Sequence, residues 1–422
     1  MKHYTIALTT ILFFCFLFYA NGQNNGNSNT LRKSKYPKSK LIKTFEWTGE
    51  PQKYQGTNSD MHWFTWGIDD AIYIADDDGK NFQGIENYAH ILKITGTPPN
   101  HKVETVTDFE NYDFRAMIPN KLLRRYVNGI LAVDSILYVC LYDYDWNIPG
   151  KVYNYDDIYK RIKEYNPWHD LDSLTGTNLG FIDSYSKNAG IAGIIKSKDM
   201  GKTWENIPGS HTPQFLGPNF AGMSFITWGP GYTNVPKEFG DYVYGISNNG
   251  SWETGDHVYM ARVHRDSIIV RKAWQFFNGM KLNKPQWTVT EENAKPIFSD
   301  SLHVGHPTMT YNKNLKRYIL TIYSDTVPHK ENASIQERNQ WDFGSELQLY
   351  ESATPFGPWS IFYNEKPWGG KLHSCYLGQI PAKWFSPDGL SGYMMFAGDY
   401  VNRAGEYYGL MIQPFKIVLN KN

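Results

Sequence analysis

The chain has 422 residues, with Lys plus Arg and Asp plus Glu both at 42, so its charge balance offers no footing for nucleic acid or an anionic membrane surface. Its length allows one large domain or two ordinary ones with a sizeable core. Aromatic residues make up 16% of it, including 14 Trp and 30 Tyr, a load that suits an all-β protein whose rings are mostly core.

In chain order, Lys2 and His3 precede the apolar run Ile6 to Phe18, and Ala20-Asn21-Gly22 gives the small-x-small pattern of a cleavage site before Gln23. The run is too short to span a bilayer comfortably, so it reads as a signal peptide over residues 1–22, and the mature protein as secreted or periplasmic. Residues 23–45 are polar, basic and poor in apolar side chains, the composition of a flexible leader. From residue 46 to 422 no second linker breaks the chain, which predicts one domain without membrane insertion, and a monomer.

Within that domain, short apolar or alternating runs are separated by Gly, Asp, Asn and Pro. DAIYIAD, NGILAVDSILYVCLYD, IAGIIKS, GDYVYGIS, DHVYMARV, KRYILTIYS, ELQLYES and SGYMMFAGD all read as strands. Helical periodicity is absent except over Tyr153 to Tyr165. Recurring strand-turn-strand units over nearly 400 residues point to a β-propeller rather than a sandwich. Ser197-Lys-Asp199-Met-Gly201-Lys-Thr203-Trp204 has the Asp-box pattern S-x-D-x-G-x-T-W. In such a hairpin the Asp caps backbone amides, Gly supplies a positive φ and Trp packs beneath, so Asp199 is structural. Pro355 to Trp359 reads as another hairpin turn with a packed Trp. Cys140 and Cys375, in apolar stretches, form either a disulfide or two buried thiols. No CxxC, HExxH or EF-hand spacing occurs, so no metal site or cofactor is expected.

The stretch SDMHWFTWGIDDAIYIADDDG at 59–79, with HILKITGTPPN at 90–100, RRYVNGILAVDSILYV at 124–139 and DHVYMARVHRDSIIVRKAWQFFNG at 256–279, resembles the DUF4185 family of secreted bacterial proteins. KPIFSD, MTYNKNLKRYILTIY and ESATPFGPWS continue the likeness in the same order to the C-terminal third. The resemblance implies a single five-bladed propeller. Some members look to be glycoside hydrolases that cleave D-arabinan with two aspartates near the N-terminus. By position those fall on Asp60 and Asp78.

Glycoside hydrolysis needs one carboxylic acid to protonate the leaving oxygen and one carboxylate to activate water or attack the anomeric carbon. Asp60 and Asp78 flank the strand AIYIA, and both flanks of an inner propeller strand can approach the central funnel. Trp63 and Trp66 can offer ring faces to a sugar. Asp69, Asp70, Asp76 and Asp77 read as turn residues. A structural calcium held by the 76–78 triplet is disfavoured, because alternate side chains on extended backbone diverge.

A second chemistry is β-elimination on uronic-acid oligosaccharides, by a lyase or dehydratase. It needs a base, an acid and donors that stabilise an enolate. His62, His303, His306, His373, Tyr311, Arg124 and Arg125 are its candidates, with His62 beside the acidic cluster. Asn128 can hold sugar hydroxyls, or belong to a tight turn with Gly129. The Trp228-Gly-Pro-Gly231 segment can present an exposed ring, or form a buried corner. A non-catalytic glycan-binding propeller is the third reading. All three take a poly- or oligosaccharide as partner.

Overall fold

The computed structural model describes residues 34–54, 57–80, 86–87, 89–107, 109, 123–145, 191–208, 215–220, 222–248, 255–325, 344–370, 374–398 and 408–421. The expected signal peptide, the helical stretch at Tyr153 to Tyr165 and His373 lie outside them.

Strands β1 (Ile42–Trp47) and β2 (Gln52–Lys53) come first. One sheet then takes β3 (Asn58–Trp66), β4 (Ile72–Lys80), the short β5 (Glu86–Asn87), β6 (His90–Thr97) and β7 (Asn100–Thr107). A second holds β8 (Leu123–Val133), β9 (Ile136–Asp145) and β10 (Gly193–Ser197). The third runs through β11 (Ser224–Phe225), β12 (Tyr242–Asn248), β13 (Gly255–His264), β14 (Gln275–Lys281) and β15 (Lys284–Thr288), with β16 (Phe298–Val304) also on β13. The fourth comprises β17 (Thr308–Asn312), β18 (Arg317–Asp325), β19 (Ser345–Ser352) and β20 (Ser360–Trp368). In the last sheet β21 (Tyr376–Gln379), β22 (Ser391–Gly398) and β23 (Gly409–Leu419) are completed by β1, paired antiparallel to β23 from Ile42↔Leu419 to Trp47↔Phe415.

The first strand of each sheet lies innermost, and these strands are laced to one another around the axis. Ala132 N–H in β8 donates to Thr65 Oγ1 in β3 (2.8 Å), and Met223 N–H before β11 donates to Asn128 Oδ1 in β8 (3.0 Å). Ser224 Oγ donates to the Pro307 carbonyl (2.8 Å), and a parallel bridge joins Thr227 to Thr310. Thr308 Oγ1 and Thr310 Oγ1 donate to the carbonyls of Gly378 (2.7 Å) and Ile380 (2.6 Å). The Gln379 side-chain amide donates to the His62 carbonyl and closes the circle. Each such bond contributes about 1 kcal/mol net. The short polar side chains in these strands are thus the ties between neighbouring blades.

The result is the all-β propeller architecture the strand pattern predicts. Four sheets hold four or more strands and form complete blades, one fewer than the five expected; that of β8–β10 has three strands among the described residues. The polar leader expected to reach residue 45 ends earlier. Tyr36 stacks on Phe298 (4.5 Å), Ser39 Oγ donates to Glu351 (2.8 Å), and Phe45 in β1 is core.

Burial explains the strand sequences. β7 is an outer strand and alternates, with exposed Asn100, Lys102 and Glu104. β19 is buried on both faces, so Glu346, Gln348 and Glu351 in SELQLYES are interior side chains. Cys140 and Cys375 are buried thiols, not joined in a disulfide. At the end of β10, Ser197 and Thr203 hydroxyls donate to Asp199 (2.8 and 2.6 Å), Gly201 takes φ 98°, and Trp204 packs against Phe109 (5.5 Å). This turn sits on the outermost described strand of its sheet, away from β8. Trp359 is buried and donates to the Ile297 carbonyl (2.9 Å).

Candidate active site

The inner strands run parallel to one another, so their first residues gather at one end of the axis, with the last residues of β4, β9, β12, β18 and β22. Buried ionisable groups concentrate there: His62, Asp76, Asp77, His90, His303, His306 and Glu346. The opposite end carries the tight turns. Asp69 accepts from Tyr73 OH (2.8 Å) and pairs with Lys93 (2.8 Å), while Asp70 adopts φ 62° and accepts from Trp66 Nε1 (2.9 Å). Asp69 and Asp70 are therefore turn residues, and Trp66 belongs to that end.

The segment around Asp60 is irregular. Register passes from Asn58↔Lys80 to Asp60↔Asp77, two steps along β3 against three along β4. It then passes to Trp63↔Ala75, three steps against two. Each strand thus carries one extra residue, in β4 at Asp78 or Gly79 and in β3 at Met61 or His62. Such bulges re-aim side chains and recur beside active sites. Met61 takes φ 53°, a left-handed conformation that a non-glycine residue holds only when its surroundings impose it. Gly79 lets the strands close up, since a Cβ there would overlap the Asn58 carbonyl.

Asp76 and Asp77, expected as turn residues, lie inside β4 and are buried. Asp76 Oδ2 accepts from Ser59 Oγ (2.8 Å), and its Oδ1 lies 3.2 Å from His62 Nδ1. His90 Nδ1 is 3.7 Å from Oδ2. Ser59, His62 and His90 thus surround the Asp76 carboxylate, as a buried carboxylate requires. Among the described residues no group of three or more His, Cys, Asp and Glu has the arrangement of a metal site.

Other candidates turn out to be interior. His62 has no exposed surface, and His306 is 5% exposed. Burial pushes the His306 imidazole down to about 3, against the opposing effect of a hydrogen bond with the Gly222 backbone, so the ring is neutral and closed off from solvent. Trp63 is 2% exposed and meets His306 edge-on (5.4 Å), so its ring packs against the axis and offers no open face to a sugar. Trp228 is the buried corner, enclosed by Tyr232, Phe239, Tyr244 and Tyr318, and not a binding loop. Asn128 is buried, and its Oδ1 accepts from the N–H groups of Gly129 (2.6 Å) and Met223 (3.0 Å), an inter-blade tie that leaves no free acceptor face for a sugar. Half-buried Tyr311 packs on Tyr318 (4.8 Å). Arg124 and Arg125 lie in β8 opposite Tyr144 and Asp143, at the same axial end as Asp60. Of Asp60, Asp78, Arg124 and Arg125 only the backbone is described.

The family model described as a domain of unknown function, DUF4185, matches residues 166–414, more than half of the chain. The chain belongs to the DUF4185 family. The match begins after β9, so the bulged segment of Asp60 and Asp78 precedes it. No curated protein matches the sequence. Among solved structures, the chain is similar to a protein of Bacteroides ovatus provisionally described as a hydrolase, with a TM-score of 0.47, 12% identity and 86% and 87% of the two chains covered. It is also similar to the α-L-arabinofuranosidase PaAbf62A of Podospora anserina (TM-score 0.40, 11% identity, 91% and 99% covered). A GH43_1 enzyme of Xanthomonas citri gives a TM-score of 0.41 at 12% identity, with 85% and 88% covered. Likenesses at these scores carry nothing about the reaction.

Two carboxylates of this DUF4185 protein escaped the sequence reading. Asp76 stands in a D-D-D run that looks like a turn, and only pairing with β3 reveals it as strand. Glu346 is fully buried in β19, accepts from Asn364 Nδ2 (2.6 Å) and lies 3.4 Å from His303 Nδ1 and 3.9 Å from Lys366 Nζ. Its signal was there: Glu346 and Gln348 alternate with Leu347 and Leu349, a polar face on a strand with no turn residue. His303, one of the elimination candidates, is thus the partner of a buried acid.

Proposed function

We propose that this DUF4185 protein is an exported carbohydrate-active hydrolase that cleaves glycosidic bonds, with Asp60 and Asp78 as its acid and base. The observation that carries this reading is the pair of compensating bulges. They fall where Asp60 faces Asp77, beside Asp78, at the axial end where buried ionisable groups gather. Strand irregularity of this kind has a packing cost and is retained where it aims a functional group. One carboxylic acid protonates the glycosidic oxygen as the bond breaks, and the other carboxylate activates water or attacks the anomeric carbon. Family resemblance, the charge-balanced composition and the apolar N-terminal run agree with an exported enzyme acting on a polysaccharide. Elimination is less well supported, since His62 and His306 are both buried.

Incubation with D-arabinan, L-arabinan and a uronate-bearing polysaccharide tests this. Reducing ends released without ultraviolet absorbance of an unsaturated uronate are expected, and such absorbance would establish elimination instead. Asp60→Asn and Asp78→Asn are each expected to lower turnover by about 10²–10⁴-fold with the fold intact. Wild-type turnover in either variant refutes the pair.

A further inference from the structure

We infer that Asp76 is a positioning residue for the Asp60/Asp78 pair, an inference that rests on the hydrolase reading. Asp76 lies in β4 two residues before Asp78, and its side chain has no exposed surface. The run Ile72-Tyr73-Ile74-Ala75 leading to it is wholly buried and apolar. An apolar residue at 76 would continue that run without burying a charge, and replacing a buried charged network by well-packed apolar residues is often neutral or stabilising. A carboxylate there therefore serves geometry rather than stability.

Its partners show which geometry. Ser59, whose hydroxyl donates to Oδ2 at 2.8 Å, immediately precedes Asp60. His62, whose Nδ1 lies 3.2 Å from Oδ1, is two residues beyond Asp60, past left-handed Met61. One carboxylate on the strand that carries Asp78 thus meets both shoulders of the β3 bulge, by a hydrogen bond from Ser59 and a close approach to His62. The regular ladder is interrupted at this point, so these side-chain ties replace the backbone register that would otherwise set how the two strands lie. His90, 3.7 Å from Oδ2, approaches from β6 and closes the far side of the carboxylate. The Gln379 amide holds the His62 carbonyl from the neighbouring blade, so the bulge is clamped from two sheets.

Asp76→Asn keeps the size of the side chain and discards its charge, and Ser59→Ala removes the tie nearest Asp60. Both are to be assayed on the two arabinans and the uronate-bearing polysaccharide beside Asp60→Asn and Asp78→Asn. The expected result for both is a fall in kcat of roughly 10- to 100-fold with KM within about twofold, the signature of displaced catalytic groups rather than lost substrate contacts. Ser59→Thr, which keeps the hydroxyl, is expected to retain most of kcat. A purely structural role would lower the folded fraction and leave kcat per folded molecule unchanged. Wild-type kcat per folded molecule in Ser59→Ala overturns the inference, even if Asp76→Asn fails to fold. Should Asp60→Asn and Asp78→Asn remain active, the hydrolase pair itself falls and this role with it. If they are inactive while Asp76→Asn and Ser59→Ala turn over normally, the positioning role alone is refuted.

Discussion

Replacing Asn128 with alanine removes the acceptor that two backbone donors share, the N–H groups of Gly129 at 2.6 Å and Met223 at 3.0 Å. Asn128 is 2% exposed, so water does not readily replace the lost carbonyl, and each orphaned donor costs about 1–3 kcal/mol. The two together predict a loss of about 2–6 kcal/mol, and even the lower bound exceeds a tenfold change in the folding equilibrium. Relief by local movement is limited, because Gly129 already lies so close to the Met223 carbonyl that a Cβ would overlap it. Urea unfolding followed by tryptophan fluorescence measures the effect as a lower midpoint at an unchanged slope. Turnover per folded molecule should be unaltered. A variant within about 0.5 kcal/mol of the wild type refutes the reasoning, since that is the range of surface substitutions without special contacts. Weakened glycan binding at unchanged stability would return Asn128 to the role of a sugar ligand.

Two further predictions follow from the axis. Gly222→Ala places a methyl in the ring of buried His306 and should destabilise by at least about 1–3 kcal/mol, the usual cost of overpacking; an unshifted unfolding midpoint would contradict it. For His306, whose imidazole is lowered from 6.5 to about 3, the unfolded chain binds more protons than the folded one between those values. Stability from this group is therefore complete above pH 6.5 and lost as pH falls toward 3, with a slope of up to about 1.4 kcal/mol per pH unit. His306→Gln should flatten that part of the profile, and parallel profiles for variant and wild type would exclude the group as its source.

Much of the propeller was legible in the sequence because each blade repeats a local signal. Runs such as DAIYIAD and KRYILTIYS lie between turn residues, and the hairpins they predict form at those places. Closure of the ring was not legible, because it depends on pairing between segments at opposite ends of the chain. Ile42 to Phe45 read as the end of the polar leader until their partner β23 is known. Burial of polar side chains was hidden for the same reason. Asn128 reads as a turn or sugar-binding residue, but its donor Met223 comes from the neighbouring blade, as does the His62 carbonyl that Gln379 meets, while Glu346 takes Asn364 from the next strand of its own sheet. Trp63 differs in the opposite sense, an aromatic residue beside turn residues that becomes core when the blades pack, and Trp228 takes the buried of its two readings. At the axial end, the D-D-D run reads as a turn, and the strand pairing of Asp76 and Asp77 depends on two bulges that no period in the sequence announces.

The pairing of β1 with β23 has a consequence for how the molecule is made. Among the described residues, the strand that completes the last blade precedes every other strand in the sequence, and its partner follows them all. Bringing the two together closes a loop of nearly the whole chain, with an entropic cost of about 5 kcal/mol. Until then β1 has no ladder, and one edge of the final blade stands open to any passing strand. The pairing that shuts the ring is therefore also the strand pairing of longest reach along the sequence.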